Sequence, residues 1–243
     1  MNRIAGIVQI ATYAGIAMSQ NQDLTRTGLR TPKAAAIAGI VFSVLLLVSF
    51  GLLRASIPVE PLLPGTWLRS EARTIALALN LIPFAGVAFL WFIGVLRDRL
   101  GQREDRLFAT VFLGSGLLFL GMLFSAAAVL GAIIIAYAAR PDQPIDPDTF
   151  AFVRTLAFNL MNIYAVKMAG VFMISTSTIA AYTGFVPRYI AFLGHALAVV
   201  LLLGSSYLVW SFFVFPIWVL LLSVQILIDN FRPSNSLLDR AKR

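Results

Sequence analysis

Apolar residues in this chain are collected into long blocks, each close to the length of a helix that crosses a bilayer. The blocks cover residues 31–53, 74–96, 107–138, 146–186, 188–206 and 208–229. Within each block the apolar residues are nearly continuous. They do not recur at the spacing expected for a half-buried helix or strand. An α-helix needs about 20 predominantly apolar residues to span the hydrocarbon layer. The pattern therefore predicts an all-α polytopic transmembrane bundle of about six spans.

Prolines indicate where several of these helices begin and bend. Asp146 and Pro147 form a capping residue and a first-position proline, and so predict the start of the fourth helix. Pro83 and Pro216 fall inside predicted spans and predict kinks there. The turn between the last two spans is very short, so one of them is alternatively a re-entrant helix.

The third and fourth predicted helices are longer than a bilayer requires. The third is about 45 Å long at 1.5 Å per residue, against a hydrocarbon layer of roughly 30 Å. A short, acidic, proline-rich loop at residues 140–148 joins it to the fourth. We expect an antiparallel hairpin that stands out of the bilayer and is available to a partner.

Composition supports a single membrane-embedded domain. Hydrophobic residues make up 59% of the chain and charged residues 12%, whereas soluble domains carry roughly 25% charged residues. No polar block is long enough to fold alone. We therefore divide the chain into an N-terminal cytoplasmic or interfacial segment (1–33), a transmembrane helical domain (34–229) and a basic cytoplasmic tail (230–243).

The distribution of basic residues predicts the orientation. With six spans and the N-terminus inside, thirteen of the 19 Lys and Arg residues lie on the inner side and five on the outer side. The positive-inside rule then places both termini in the cytoplasm, for a multi-pass protein of the cell's inner (plasma) membrane. The same rule accounts for the net charge of +8, so we expect no nucleic-acid partner.

The residues that the chain lacks exclude several kinds of chemistry. There is no cysteine and a single histidine, His195. Disulfides, thiolate nucleophiles, iron–sulfur clusters, bis-histidine haem and multi-histidine metal sites are thereby excluded within one chain. We expect no cofactor, no metal and no catalytic residue.

Lys167 is the residue that most suggests a site. It lies within the apolar fourth span, and a charge at bilayer depth is costly and often functional. Tyr164, Ser175 and Thr178 share its side of a helical wheel. We expect this polar stripe to line a cavity or relay in which Lys167 contacts an anion or switches with protonation. The alternative is a lysine that snorkels or bonds to carbonyls within a packed bundle.

Other polar residues in the spans have commoner structural uses. His195 is a candidate proton relay, with Lys167 or Asp229 as partner, but a neutral histidine bonded to a neighbouring helix is the more usual case. Intramembrane amides such as Asn80, Asn162 and Gln225 usually form interhelical hydrogen bonds.

The charged loop between the second and third spans carries candidate contacts to lipid headgroups. Arg99, Arg103 and Arg106 alternate there with acidic residues. They are suited to anionic lipids or a partner, although a solvated loop with internal ion pairs is the simpler interpretation.

Residues 103–116, together with residues 215–220, resemble small bacterial multi-pass membrane proteins that have no assigned activity. The resemblance covers helices 3 to 6. It implies an integral membrane location and nothing about catalytic residues.

Three classes of function remain open. We favour a non-catalytic membrane component or accessory subunit that interacts with membrane lipids, other membrane proteins or a second copy of itself. The first alternative is a small transporter or ion or proton pathway centred on Lys167. The second is a membrane enzyme acting on lipid or isoprenoid substrates, although the sequence offers it no paired intramembrane carboxylates and no metal set.

Overall fold

The described part of the molecule is built from helices. The computed structural model describes residues 32–57, 67–100, 106–139, 146–184, 186–204 and 210–231. We number its α-helices α1 (Pro32–Ser56), α2 (Trp67–Leu100), α3 (Arg106–Ala139), α4 (Pro147–Asn159), α5 (Val166–Thr183), α6 (Arg188–Gly204) and α7 (Ser211–Phe231). A π-helical segment, Leu160–Ala165, joins α4 to α5 without a loop. No strand occurs in these ranges, and the predicted all-α class is confirmed for them.

Five helical stretches in the described ranges are long and apolar enough to cross a membrane: Lys33–Ser56, Ser70–Arg97, Ala109–Ala136, Pro147–Tyr182 and Ser211–Asp229. The fourth combines α4, the π-helical segment and α5. The remaining helix, α6, is apolar but has 17 residues, or about 25 Å at 1.5 Å per residue. A multi-pass helical membrane architecture follows.

The second helix begins earlier than the apolar pattern indicated. Its first residue is Trp67, whereas the sequence placed the start at residue 74. The stretch from Trp67 to Thr74 is polar but contains no proline, so nothing in it opposes helix formation. Hydrophobicity therefore marks the part of a helix inside the bilayer and misses polar turns that extend beyond it.

The helices pack side by side as one bundle. Helix α1 contacts α2 and α7. Helix α3 lies against α4, the π-helical segment and α5, and α6 packs mainly on α5. Small buried residues line the α5–α6 contact, including Ala169 and Ala198. At Gly170 the two helices are so close that an added Cβ atom would lie 3.3 Å from the carbonyl oxygen of Ala198.

Phenylalanine rings from five helices fill the middle of the bundle. Their centroids lie 4.5–6.4 Å apart, mostly in tilted or edge-to-face pairs, and all five side chains are buried. We call this cluster the aromatic centre; it comprises Phe42 (α1), Phe89 (α2), Phe119 (α3), Phe172 (α5) and Phe215 (α7). Such ring pairs are favoured beyond the area they bury, so the cluster fixes how these five helices meet.

The predicted cap at the start of α4 is confirmed. A carboxylate oxygen of Asp146 accepts hydrogen bonds from the backbone N–H of Thr149, at 2.9 Å, and from its hydroxyl, at 2.8 Å. Pro147 occupies the first helical position. The backbone and then the side-chain hydrogen bond from Thr149 hold the pKa of Asp146 below its ordinary value of 3.8.

We expect Asp146→Ala to fray the first turn of α4. A carboxyl whose pKa falls on folding stabilises the fold above its unfolded pKa, and that contribution disappears as the pH falls through the folded value. In the wild type, hydrogen-exchange protection of residues 149–151 should therefore be full at pH 5 and decline below pH 3.8. In Asp146→Ala, protection should be low at both pH values.

Asp148→Ala provides the matched control for this cap. Asp148 is an exposed acid in the same helical turn, but it does not occupy the capping position. Its replacement should leave the protection of α4 and its pH profile close to those of the wild type. Equal loss of protection in the two variants would show that general charge, and not the cap, holds the turn.

Candidate functional site

The four residues of the predicted polar stripe on the fourth span differ in exposure and in hydrogen-bond partners, and none of them lines the cavity described below. Lys167 is half-buried in the first turn of α5, and it makes no hydrogen bond or ion pair with any residue that the structure describes. Tyr164 lies in the π-helical segment and is 57% exposed, whereas Ser175 is 3% exposed. Ser175 donates its hydroxyl to the carbonyl oxygen of Val171, on its own helix. The four predicted residues thus point into different surroundings.

Thr178 and His195 are brought together across the α5–α6 contact. The Thr178 hydroxyl lies 3.0 Å from Nε2 of His195, and Nδ1 of the same ring lies 2.8 Å from the carbonyl oxygen of Ala191. A carbonyl only accepts, so Nδ1 carries a proton and donates it. In the neutral ring Nε2 then accepts from the hydroxyl of Thr178.

This pairing matches the structural interpretation of His195. Both ring nitrogens have partners, and neither partner is Lys167 or Asp229, the two residues that a relay was expected to use. His195 therefore fastens α6 to α5 in this conformation, as intramembrane polar groups commonly do.

The intramembrane amides bond within their own helices. Asn80 donates to the carbonyl oxygen of Ala76, Asn162 donates to that of Phe158, and Gln225 donates to the carboxylate of Asp229. The expectation of interhelical bonds was wrong for these three. A partner four residues earlier or later is always within reach on a helix, so these amides are satisfied without a neighbouring helix.

The predicted headgroup-binding arginines fall at the edge of the described ranges. Arg103 lies outside them. Arg99 and Arg106 lie in the last turn of α2 and the first turn of α3, and their side chains are outside the described part. The proposed lipid contact through this loop remains a prediction.

A cavity of about 180 Å³ lies at the opposite end of the bundle from that loop. It is formed where the end of α1, the start of α2, the end of α3, the start of α4 and the start of α7 meet. Most of its wall is apolar. The residues lining it are Phe50, Leu53, Arg54, Ile57, Ile75, Leu130, Ile133, Ile134, Phe150, Val153, Arg154, Ala157, Phe158, Met161, Asn162 and Phe212.

Arg54 is the polar residue of this cavity with the most unusual surroundings. It lies in the last turn of α1, where the partial negative charge of a helix C-terminus favours a cation. Its guanidinium carbon lies 5.6 Å from the centre of the Trp210 ring, a cation–π distance. Its Nε atom is buried and has no hydrogen-bond partner among the described residues. A buried donor without a partner costs about 1–3 kcal/mol, so an acceptor at this position would be stabilising.

Arg154 and Asn162 complete the polar part of the wall. Arg154 is half-buried on α4, and Asn162 lies in the π-helical segment. A π-helical turn changes the direction in which the following side chains point, and such turns are frequent at functional sites. Two cationic side chains and one amide thus face an otherwise apolar cavity.

Sequence reasoning did not select Arg54 or Arg154. Both were counted among the outer basic residues and used only for orientation. Arg154 lies inside the predicted fourth helix, whereas Arg54 lies one residue beyond the predicted end of the first. What the sequence did not contain is the packing that brings the end of α1 and the side of α4 to one cavity.

Neither a group of metal-binding side chains among the described residues nor a similarity to known proteins assigns a function to this site. In the described ranges no group of three or more His, Cys, Asp or Glu residues could hold a metal ion. Comparisons with protein-family models, curated proteins and solved structures find no match. The resemblance of residues 103–116 to small bacterial multi-pass proteins stays a prediction.

Proposed function

We propose that this membrane protein is a non-catalytic component, an accessory subunit that engages membrane lipids or partner membrane proteins through its helix ends and outer faces. The aromatic centre is the observation that carries the proposal. Packed rings from five helices occupy the bundle axis, where a conducting protein requires polar groups or water. Opening a path there would require displacement of closely packed side chains.

We further propose six spans with both termini in the cytoplasm, in the plasma membrane. The basic residues support this orientation by the positive-inside rule. The exposed Tyr182 and Tyr189 lie beside the α5–α6 junction, and Trp210 is exposed at the start of α7, positions suited to aromatic belts. The shorter α6 would then be the fifth span, its length mismatch met by local thinning of the bilayer.

A second candidate is an ion or proton pathway at Lys167. One observation favours it: Lys167 is half-buried without a partner among the described residues, in the turn that follows the π-helical segment. Such a pathway would have to run beside the aromatic centre, along the face of α5. His195 is hydrogen-bonded to Thr178 and to the carbonyl oxygen of Ala191, and not to Lys167.

The two candidates differ in a flux assay. We expect proteoliposomes containing the purified protein to carry protons and monovalent cations no faster than empty vesicles, with Lys167→Met identical to the wild type. Dye-loaded vesicles under an imposed gradient provide the measurement. Purification in mild detergent, followed by identification of bound lipid and protein, should recover a stoichiometric lipid or protein partner.

Two results would contradict this proposal. Flux above the vesicle background that disappears in Lys167→Met would establish the pathway instead. Flux that persists in Lys167→Met would locate a pathway elsewhere and equally exclude a purely accessory role. Tags on the two termini that report opposite compartments would overturn the six-span orientation without affecting the flux result.

A further inference from the structure

We propose that the cavity between α1, α3, α4 and α7 binds the phosphate headgroup and adjacent methylene groups of one anionic phospholipid. This inference rests on the membrane location in the proposed function and names one lipid class that the protein would engage. It depends on Arg54, Arg154 and the apolar wall, and it does not depend on whether the protein also binds a partner protein.

The charge of the cavity indicates an anion. Among the described residues that line it, Arg54 and Arg154 are the charged ones, and both are cationic. Arginine presents donors in a planar fork that fits phosphate oxygens, and a buried guanidinium retains its charge. The buried Nε of Arg54 has no hydrogen-bond partner among the described residues and so requires an acceptor. Trp210 restricts the plane of the guanidinium from one side. An oxyanion satisfies both the charge and the donor.

The apolar wall indicates that the anion carries hydrocarbon. Phenylalanine, leucine and isoleucine side chains surround the two arginines, with Phe50, Phe150 and Phe212 contributed by three different helices. A volume of about 180 Å³ is comparable to apolar cavities of about 150 Å³ that hold one benzene ring. The cavity therefore accommodates a short run of methylene groups, and the rest of each acyl chain would lie along the outside of the bundle.

The position of the cavity favours a lipid over free phosphate. Many of its lining residues lie near the ends of membrane-spanning helices, such as Arg54 in the last turn of α1 and Phe212 in the first turn of α7, while residues 157–162 lie deeper in the fourth span. Headgroup phosphates of a bilayer lie at that depth, next to chains that can enter an apolar cavity.

The test is a comparison of lipid binding by the full-length protein in detergent, with native mass spectrometry as the readout. We expect phosphatidylglycerol to bind at one site at least tenfold more tightly than phosphatidylcholine. Arg54→Gln should weaken phosphatidylglycerol binding about tenfold to a hundredfold, the range expected for lost hydrogen bonds to a charged group. Inorganic phosphate at millimolar concentration should not displace the lipid.

Two further variants test the two parts of the proposal: one controls for the general attraction of arginine to an anionic lipid, and the other tests the contact with the acyl chain. Arg73→Gln removes an exposed arginine near the same end of the bundle and should leave affinity unchanged. Ala157→Leu keeps both arginines but fills part of the cavity from α4, where Ala157 is buried. It should weaken lipid binding while inorganic phosphate binding, if any, stays the same. Thermal unfolding in detergent establishes which variants are folded.

Several outcomes would overturn the assignment. Equal binding of the two lipids by the wild type would exclude the proposed lipid site. Because this result needs only the wild type, it holds even if a variant fails to fold. Equal loss in Arg73→Gln and Arg54→Gln would indicate general electrostatic attraction, and displacement by inorganic phosphate would indicate a soluble ligand. A protein that conducts ions yet binds phosphatidylglycerol through Arg54 would retain this site while the accessory role failed.

Discussion

Phe89→Ala should lower the free energy of unfolding by about 3 kcal/mol, the low end of the range for truncation of a buried phenylalanine. Phe89 is fully buried, and its ring contacts Phe42, Phe119, Phe172 and Phe215, one from each of four other helices. Lipid tails are as apolar as a phenyl ring, so transfer from water contributes little to helix association. The stability is lost instead through dispersion and ring–ring contacts, because the side chains that line the new cavity no longer have atoms to contact on that side.

Phe84→Ala is the matched control for this loss. Phe84 is on the same helix, about one and a half turns earlier, but it is 67% exposed on the outer face of the bundle. Its truncation should change the free energy of unfolding by less than about 0.5 kcal/mol. Unfolding in mixed micelles of mild detergent and dodecyl sulfate measures both variants. Equal effects would show that the rings do not form a packed centre, and the argument against an axial pathway would fail with them.

The helices were predictable because their signal is local. A run of apolar residues, or the dipeptide of Asp146 and Pro147, determines a helix or its start without reference to the rest of the chain. The same holds for His195, since a lone imidazole in an apolar helix must find a partner on its own or an adjacent turn or helix. Within the described residues the helical class and the cap at Asp146 were confirmed, and His195 has a partner on its own helix and one on α5.

The cavity was not predictable because its signal is not local. Arg54 and Arg154 are far apart in the sequence, and only the folded bundle brings them to the wall of one cavity. The π-helical segment, which carries Asn162 into the wall, has no composition of its own and was read as uninterrupted helix. Helical periodicity specifies which residues share a face but not which helix that face meets. The wheel around Lys167 could therefore not show that Thr178 faces His195 on the neighbouring helix.

Gly194→Ala should destabilise the protein by about 1–3 kcal/mol, the usual cost of inserting a methyl group into a well-packed interior. Gly194 lies on α6 where it meets α5 and α7. A Cβ atom at this position would overlap the Ser177 hydroxyl and lie 2.8 Å from Nε1 of Trp218. Trp218 is among the largest fully buried side chains, so it cannot turn away without repacking its surroundings. The conflict falls at the contact of α5, α6 and α7 and should loosen all three.

At a second glycine, the same substitution to alanine should raise the stability of the protein instead of lowering it. Gly121 lies on the exposed side of α3, and a Cβ atom there would meet nothing within 4 Å. Gly121→Ala should therefore stabilise by about 0.5–1 kcal/mol, since glycine loses more conformational entropy than alanine in a helix. Adding Ser177→Ala to Gly194→Ala should recover part of the loss, because it removes the hydroxyl that the new methyl group meets. If both glycine variants raised the unfolding midpoint in the mixed-micelle assay, α6 would not pack as closely on its neighbours as this geometry requires.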